Sequence, residues 1–318
     1  MNKKQIVVVG SSNTDLIIKL DQIPRPGETI IGGQFASAAG GKGANQAVAA
    51  ARAGGEVSFV ARVGSDDMGE KALAGFIKDR VNVKHVIRDR TNPSGVALIF
   101  VGKDGENSIA VASGANEKLS PADVRKASGL LQVAGVLVLQ LETPLSTVQA
   151  AAEMAAKAGV KVLLNPAPAQ SLPDKLLMHV YLLTPNEGEA EMLTGIKVCN
   201  EKTAAQAANR LLARGVANVI ITMGSRGAFI AGTDSGVTIP ACKVKAVDTT
   251  AAGDVFNGAL AVALAEGKSL LEAARFANAA AAISVTRLGA QTSAPTRREI
   301  NKLLVPRSKL LDCFCRQL

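Results

Sequence analysis

The sequence predicts a three-layer α/β domain, a mostly parallel sheet flanked by helices with a small β-sheet lid. Three observations predict it. Short apolar runs alternate with amphipathic helical patterns along most of the 318 residues, the rhythm of successive strand–helix units. Two excursions, at about 12–39 and 92–112, break that rhythm with strand-like pieces alone. Polar residues gather just after the apolar runs, where open parallel sheets place their ligands.

The elements follow in order. The run at 6–9 is apolar throughout, as expected of a strand buried on both faces. The first excursion carries Pro24, Pro26, Gly27, Gly32 and Gly33. The second joins VALIFV to NSIAVA through Lys103-Asp104-Gly105-Glu106, and an Asp-Gly between apolar runs signals a hairpin. Together the excursions predict one small sheet over the main body. Further strands are expected at 57–63, 136–141, 160–164, 181–184 and 219–222, the last pairing with AFIA through a Gly-Ser-x-Gly turn. Helices are expected at 44–53, 68–79, 147–158, 187–193, 204–213, 252–265 and 270–286, with a last one from near Thr296 to about Leu304. This predicts a single domain over 1–304. In the remaining stretch, 305–318, Leu304-Val305-Pro306-Arg307-Ser308 resembles a protease-site linker, so the tail is read as vector-derived and set aside.

Composition narrows the function. Net charge is +9, but the basic residues are scattered, and aromatics make up only 3 % with no Trp. Nucleic-acid binding by base stacking needs aromatic platforms, so that class is set aside, while a polyanionic small ligand such as ATP fits the charge. No stretch has the length of a membrane span, and no secretory leader is evident. Cys199, Cys242, Cys313 and Cys315 lack a disulfide-framework spacing, so a reducing cytoplasm is expected. His85 and His179 have no Ser or Cys partner motif and no metal-ligand spacing.

The most informative stretch is VDTTAAGDVFNGAL, 247–260. Small residues ending in Ala251-Ala252-Gly253 at a helix start leave backbone N–H groups uncovered, and these make an anion site with the helix dipole. A carboxylate beside an anion site is poor for stability alone. Asp254 makes sense there as the acceptor of a proton from a hydroxyl attacking a phosphate. Gly40-Gly41-Lys42-Gly43-Ala44-Asn45-Gln46 is a second glycine-rich helix start. It is no Walker loop, because Gly43 stands where Ser or Thr holds magnesium, and Gln46 breaks the dinucleotide fingerprint. Lys42 and Asn45 can donate to sugar hydroxyls, although a plain tight turn explains the glycines equally well. Asn13 and Asp15 after the first strand either form local turn bonds or hold two neighbouring hydroxyls. Asn186 and Glu189 either complement a helix dipole or organise water around magnesium. Gly224, Ser225 and Gly227 form an ordinary turn or a phosphate cradle.

These segments together are similar to the PfkB carbohydrate kinases. GGKGANQAVAAARAG (40–54) resembles that family's N-terminal signature and DTTAAGDVFNGAL (248–260) its C-terminal one; PSGVALIFV, NPAPA, TPNEGEAEMLTG and TRLGAQTS follow the family order. The resemblance covers nearly the whole chain. It implies a Rossmann-like body, a lid that clasps a second copy as a homodimer, and ATP-dependent phosphorylation of the ribose 5-hydroxyl with Mg2+ and a monovalent cation such as K+. By position it makes Asp254 the base, with Ala251, Ala252 and Gly253 supplying the anion hole. Asn13, Asp15, Gly41, Lys42, Asn45 and Glu142 would hold the sugar. Asn186, Thr222, Gly224, Ser225, Gly227 and Asn278 would border the nucleotide, and Glu189 would act through the metal. Asp248, Thr250, Ser284, Arg287, Gly289 and Ser293 would form the potassium site, several through backbone carbonyls. Rival readings are a kinase for deoxyribose, a nucleoside or another sugar, and a non-catalytic sugar sensor. A sensor has no need of Asp254, and a nicotinamide enzyme would need the missing glycine fingerprint.

Overall fold

The computed structural model describes residues 5–232 and 236–305. The expected tail at 305–318 lies outside those residues except for Val305. Among the described residues thirteen strands form: β1 (Gln5–Val9), β2 (Asn13–Lys19), β3 (Gln34–Gly40), β4 (Glu56–Gly64), β5 (Asn82–Asp89), β6 (Gly95–Val101), β7 (Asn107–Ala112), β8 (Val136–Leu139), β9 (Lys161–Leu164), β10 (Leu182–Leu183), β11 (Asn218–Thr222), β12 (Ala228–Ala231) and β13 (Val237–Ile239). Nine make one sheet in the order β13-β12-β11-β10-β9-β8-β1-β4-β5. From β11 to β5 every pairing is parallel; β12 and β13 close one edge antiparallel.

β1 shows why its apolar run had to be central. Ile6 and Val8 face one core with Phe59, Leu260 and Phe276, while Val7 and Val9 face the other with Leu137, Leu139 and Val148. Side chains alternate across a strand, so a strand covered on both faces must be apolar at every position. Each such fully buried Val or Ile contributes roughly 1.5–3 kcal/mol. Phe59 and Phe76 meet edge to face at 5.3 Å in the first core.

The helix Ala252–Ala265 is buried between its ends: every residue from Asp254 to Leu264 is buried. It packs against the helix Lys42–Arg52, and the contact is very close. A Cβ on Gly258 would stand 2.7 Å from the Gln46 carbonyl oxygen and 2.8 Å from the Ala49 Cβ. That approach needs glycine, and it brings the first turns of the two helices together.

The lid is the second sheet, ordered β3-β2-β6-β7. β2 pairs antiparallel with β3 and parallel with β6, and β6 pairs antiparallel with β7 through the expected Asp-Gly turn. In this register Asp15, Ala97 and Val111 share one face, as do Ile17, Ile99 and Ile109; Leu16, Ile18, Phe35, Leu98 and Phe100 share the other.

Some elements differ from expectation. β5 was not expected because Lys84, His85 and Arg88 hide its pattern; as an edge strand pairing only with β4, it can keep charged side chains in water. The strand expected at 181–184 shortens to β10. Short helices at Pro121–Lys126, Ser128–Val133 and Asp174–Leu177 span too few turns to show a period. Among the described residues no helix is long and apolar enough to cross a membrane.

Candidate active site

The strand ends and the lid enclose a cavity of about 340 Å³. Its floor is Asp254, buried with 6 % of its surface exposed. Asn45 Nδ2 donates to Asp254 Oδ2 at 2.9 Å and Gln46 Nε2 to Oδ1 at 2.9 Å. Burial pushes the Asp254 carboxyl above its ordinary value, against the Lys42 ammonium and the Asn45 and Gln46 donors. Burial likewise pulls the Lys42 ammonium down, but Asp254, Glu142, Glu189 and Asp15 around it win, and its pKa lies above normal.

The turn before Asp254 leaves backbone donors uncovered. Ala251 caps the helix in the left-handed region at φ 57°, with no side-chain hydrogen bond to the first turn. A left-handed alanine costs roughly 1–2 kcal/mol, which points to a local task. Ala252 N–H is tied to the Thr249 carbonyl at 3.2 Å. Among the described residues the N–H groups of Gly253 and Asp254 have no acceptor, and a Cβ on Gly253 would meet open space. Two free donors at a helix N-terminus, opening on a cavity, suit a phosphoryl group.

The residues expected to hold the sugar converge on the same cavity. Asn13, Asp15, Gly41, Lys42, Asn45 and Glu142 all line it. Gly41 reaches its place at φ 86°, and a Cβ there would strike Asn13 N at 2.7 Å, so glycine is required on both counts. Glu142 has a local task too: its Oε2 accepts from Ser11 Oγ at 2.5 Å and from Lys42 N–H at 2.9 Å. It thus caps a helix whose N-cap, Gly41, has no side chain. Asn13 is fixed by Asn116, whose Nδ2 donates to Asn13 Oδ1 at 2.7 Å. Burial, reinforced by Glu142 and Asp254, pushes Asp15 up to about 6. Ala97, Ile99, Ile109 and Val111 complete the lid side.

Asn186, Glu189 and Thr222 line the opposite end. Asn186 is an N-cap and not a helix-face residue. Its Oδ1 accepts from Glu189 N–H at 2.8 Å, while Glu189 accepts from Asn186 N–H and Nδ2 at 2.8 and 2.9 Å. That capping box is the structural reading of the pair, and both residues still face the cavity. Burial raises the Glu189 carboxyl above normal, partly offset by the Asn186 N–H and Lys42. Gly224, Ser225 and Gly227 sit in the tight turn between β11 and β12, beyond the cavity lining. Asn278 is also outside that lining, donating to the Pro240 carbonyl at 2.8 Å. Gly227 packs on the same stretch, where a Cβ would be 1.9 Å from the Ile239 carbonyl oxygen, so Asn278 and the turn border one region.

The expected potassium residues meet behind the anion turn. Asp248 Oδ1 accepts from Thr250 N–H at 2.9 Å and Oδ2 from Gly289 N–H at 2.8 Å. Despite burial, the Thr250 side chain together with these Gly289 and Thr250 N–H donors holds its carboxyl below the usual range. Val247 and Asp248 N–H both donate to the Val285 carbonyl. The side chains of Ser284 and Ser293 turn back to the Ala281 and Ala290 carbonyls, and Arg287 pairs with Glu299. What these residues present for a cation is therefore mainly backbone oxygen.

Two residues of the site carried no signal of their own in the sequence. Gln46 was read only as a mismatch to a glycine motif, yet it holds Asp254. Asn257 lines the cavity one turn after Asp254, donating to the Gly253 carbonyl at 2.8 Å and accepting from Thr184 Oγ1 at 2.6 Å. Its three-residue spacing from Asp254 would have placed it on the same helix face.

Comparison with known proteins identifies the family. Residues 3–297 match the pfkB family of carbohydrate kinases. The chain is 47 % identical over 302 residues to a ribokinase of Haemophilus influenzae, covering 95 % of this chain and 99 % of that protein. It is 40 % identical to a deoxyribokinase of Salmonella typhi, covering 94 % and 98 %. The structure of Arabidopsis thaliana ribokinase complexed with ribose and ATP superposes with a TM-score of 0.89 at 35 % identity, covering 96 % of this chain and 99 % of the other. The chain belongs to the PfkB family of carbohydrate kinases.

Proposed function

We propose that this chain is a ribokinase, transferring the γ-phosphoryl group of ATP to the 5-hydroxyl of D-ribose to give ribose 5-phosphate and ADP. The observation that carries the reading is the buried Asp254 carboxylate directly after an anion turn with free N–H groups, at the floor of a lidded polar cavity. Asn13, Asp15, Gly41, Lys42, Asn45 and Glu142 bind the sugar hydroxyls. Asp254 accepts the 5-hydroxyl proton as the oxygen attacks phosphorus. Gly253 and neighbouring N–H groups, with Ala251 and Ala252 shaping the turn, stabilise the charge on the transferring group. Ile99, Ile109 and Val111 close the lid side and exclude water, which would otherwise hydrolyse ATP.

Asn186, Thr222, Gly224, Ser225, Gly227 and Asn278 border the nucleotide. The oxygen donors of Asn186 and Glu189 fit Mg2+ held mainly by phosphates, where the ion neutralises phosphate charge. The carbonyl-rich junction of 247–250 with 284–293, bridged by the Asp248 carboxylate, fits K+, a cation that orders the anion turn without touching the reacting atoms. The outward apolar face of the lid, with Phe35 69 % and Leu98 47 % exposed, supports a homodimer through the lid. The free Cys199 and Cys242 suit the cytoplasm. In this reading 1–304 form one catalytic domain and 305–318 a vector-derived tail.

A second reading, phosphorylation of deoxyribose, is favoured by the deoxyribokinase likeness. An ADP-release assay across ribose, deoxyribose, fructose and adenosine, with and without potassium, separates them. Ribose is expected to be preferred, with potassium raising the rate. Preference for another sugar contradicts the ribose assignment, and no ADP release with any of them contradicts the kinase.

A further inference from the structure

Behind Asp254 a chain of buried carboxamides runs from Asn165 at the cavity wall to Gln46 and Gln140, which lie away from the cavity and which substrate contact does not explain. Gln140 Nε2 donates to Gln46 Oε1 at 2.7 Å. Gln46 Nε2 donates to both Asp254 Oδ1 at 2.9 Å and Asn165 Oδ1 at 3.1 Å. Asn165 Nδ2 donates on to the Thr184 carbonyl at 3.2 Å. Gln46 is fully buried and Gln140 is 1 % exposed, and neither lines the cavity. The participants come from the helix after the glycine turn and from the ends of β8 and β9.

A carboxamide has a donor end and an acceptor end, and this arrangement permits only one orientation. Rotating Gln46 by half a turn would set its oxygen against Asp254 Oδ1 and Asn165 Oδ1 and its nitrogen against Gln140 Nε2. Gln140 therefore holds Gln46 with its N–H groups toward the carboxylate. Gln140 is itself imperfectly satisfied: among the described residues its Oε1 has no hydrogen-bond partner, and it faces the Gly10 Cα, 2.0 Å from where a Cβ would stand. A glutamine chosen for stability alone would not leave a buried acceptor unpaired.

The geometry points to Gln46 and Gln140 as positioning residues that set the orientation and ionisation of Asp254 through an ordered amide relay. This rests on the kinase reading of Asp254. Hydrogen bonds donated to a carboxylate favour its charged form and so oppose the effect of burial. The other charged groups facing Asp254 are Lys42 at the start of the helix Lys42–Arg52, Glu142 after β8, Asp15 on the lid and Glu189 at the far end of the cavity. The relay adds a fixed neutral donor that none of these supplies.

The test is the pH profile of Gln46→Met and Gln140→Met with ribose and ATP. Gln46→Met is expected to lower kcat by about tenfold to a hundredfold with both KM values within about threefold. Its acid limb should move to higher pH by about one pH unit, because the carboxylate has lost a donor. Gln140→Met, which touches no cavity atom, should show the same signature more weakly, by about threefold to tenfold. The double variant should be no worse than Gln46→Met alone. An acid limb that stays in place in both variants, or fully additive losses, overturns the relay. A wild-type chain that phosphorylates no sugar contradicts the kinase reading, and the relay is then decided by carbon-13 NMR titration of the Asp254 carboxyl, assigned against Asp254→Asn. A higher titration point in Gln46→Met supports the relay, and an unchanged one overturns it.

Discussion

Asn45 Nδ2 and Asp254 Oδ2 meet at 2.9 Å although 209 residues separate them. The bond joins the first turns of the two helices that open on the cavity, one after Gly40-Gly41 and the other after Ala251. One turn brings polar side chains to the cavity and the other free backbone donors, so the bond sets the two against each other.

The approach of those helices depends on Gly258. Gly258→Ala places a methyl 2.7 Å from the Gln46 carbonyl oxygen. Overpacking of this kind costs about 1–3 kcal/mol. Urea denaturation should show that loss, and kcat should fall with it because Asp254 shifts from Asn45. Unchanged stability would contradict the packing argument.

Gly253 should behave in the opposite way. A Cβ there meets open space, so Gly253→Ala should hold or raise stability by about 0.5–1 kcal/mol, as glycine replacement in a helix does. Turnover should nevertheless fall by at least about tenfold, because the methyl enters the space assigned to the phosphoryl group. Paired thermal melts and rate measurements check both signs.

Asp15 carries a pH signature. Its folded pKa of about 6 lies above the ordinary 3.8, so between those values the folded chain holds more protons than the unfolded one. Its contribution to stability therefore falls as pH rises through that window and stays lost above it. Asp15→Asn should flatten this slope in unfolding measurements. Ribose binding runs the other way, since the ionised carboxylate is the better acceptor for two hydroxyls. Calorimetry should find wild-type affinity weaker at about pH 5 than at about pH 7.5, with the difference removed in Asp15→Asn.

Asp248 ties Thr250 to Gly289. Asp248→Ala frees both N–H groups and loosens the segment leading to Ala251. A potassium titration of turnover should show a blunted response and roughly tenfold lower kcat, with little change in ribose KM. A full potassium response in the variant would contradict the cation assignment.

The parallel body was legible because strands such as β1 must be apolar at every position, and the lid because Pro, Gly and an Asp-Gly turn break the strand–helix rhythm. β5 was hidden by the charges an edge strand can expose. In the site, the free N–H groups before Asp254 were legible from local chemistry, since small residues ending in Ala-Ala-Gly at a helix start leave backbone donors uncovered. Gln46 was not legible. Its partners lie 94, 119 and 208 residues away, and only the fold brings them together. Asn186 and Glu189 show the converse, because their three-residue spacing encodes a capping box whether or not a ligand binds.

Asp254→Asn tests the central claim most directly. The amide keeps the shape of the carboxylate and removes its capacity to take a proton. Ribose and ATP affinities should stay within about threefold of wild type, while kcat for ribose phosphorylation falls by about three orders of magnitude. Near-normal turnover in that variant, measured as ADP release at saturating ribose, would contradict Asp254 as the base.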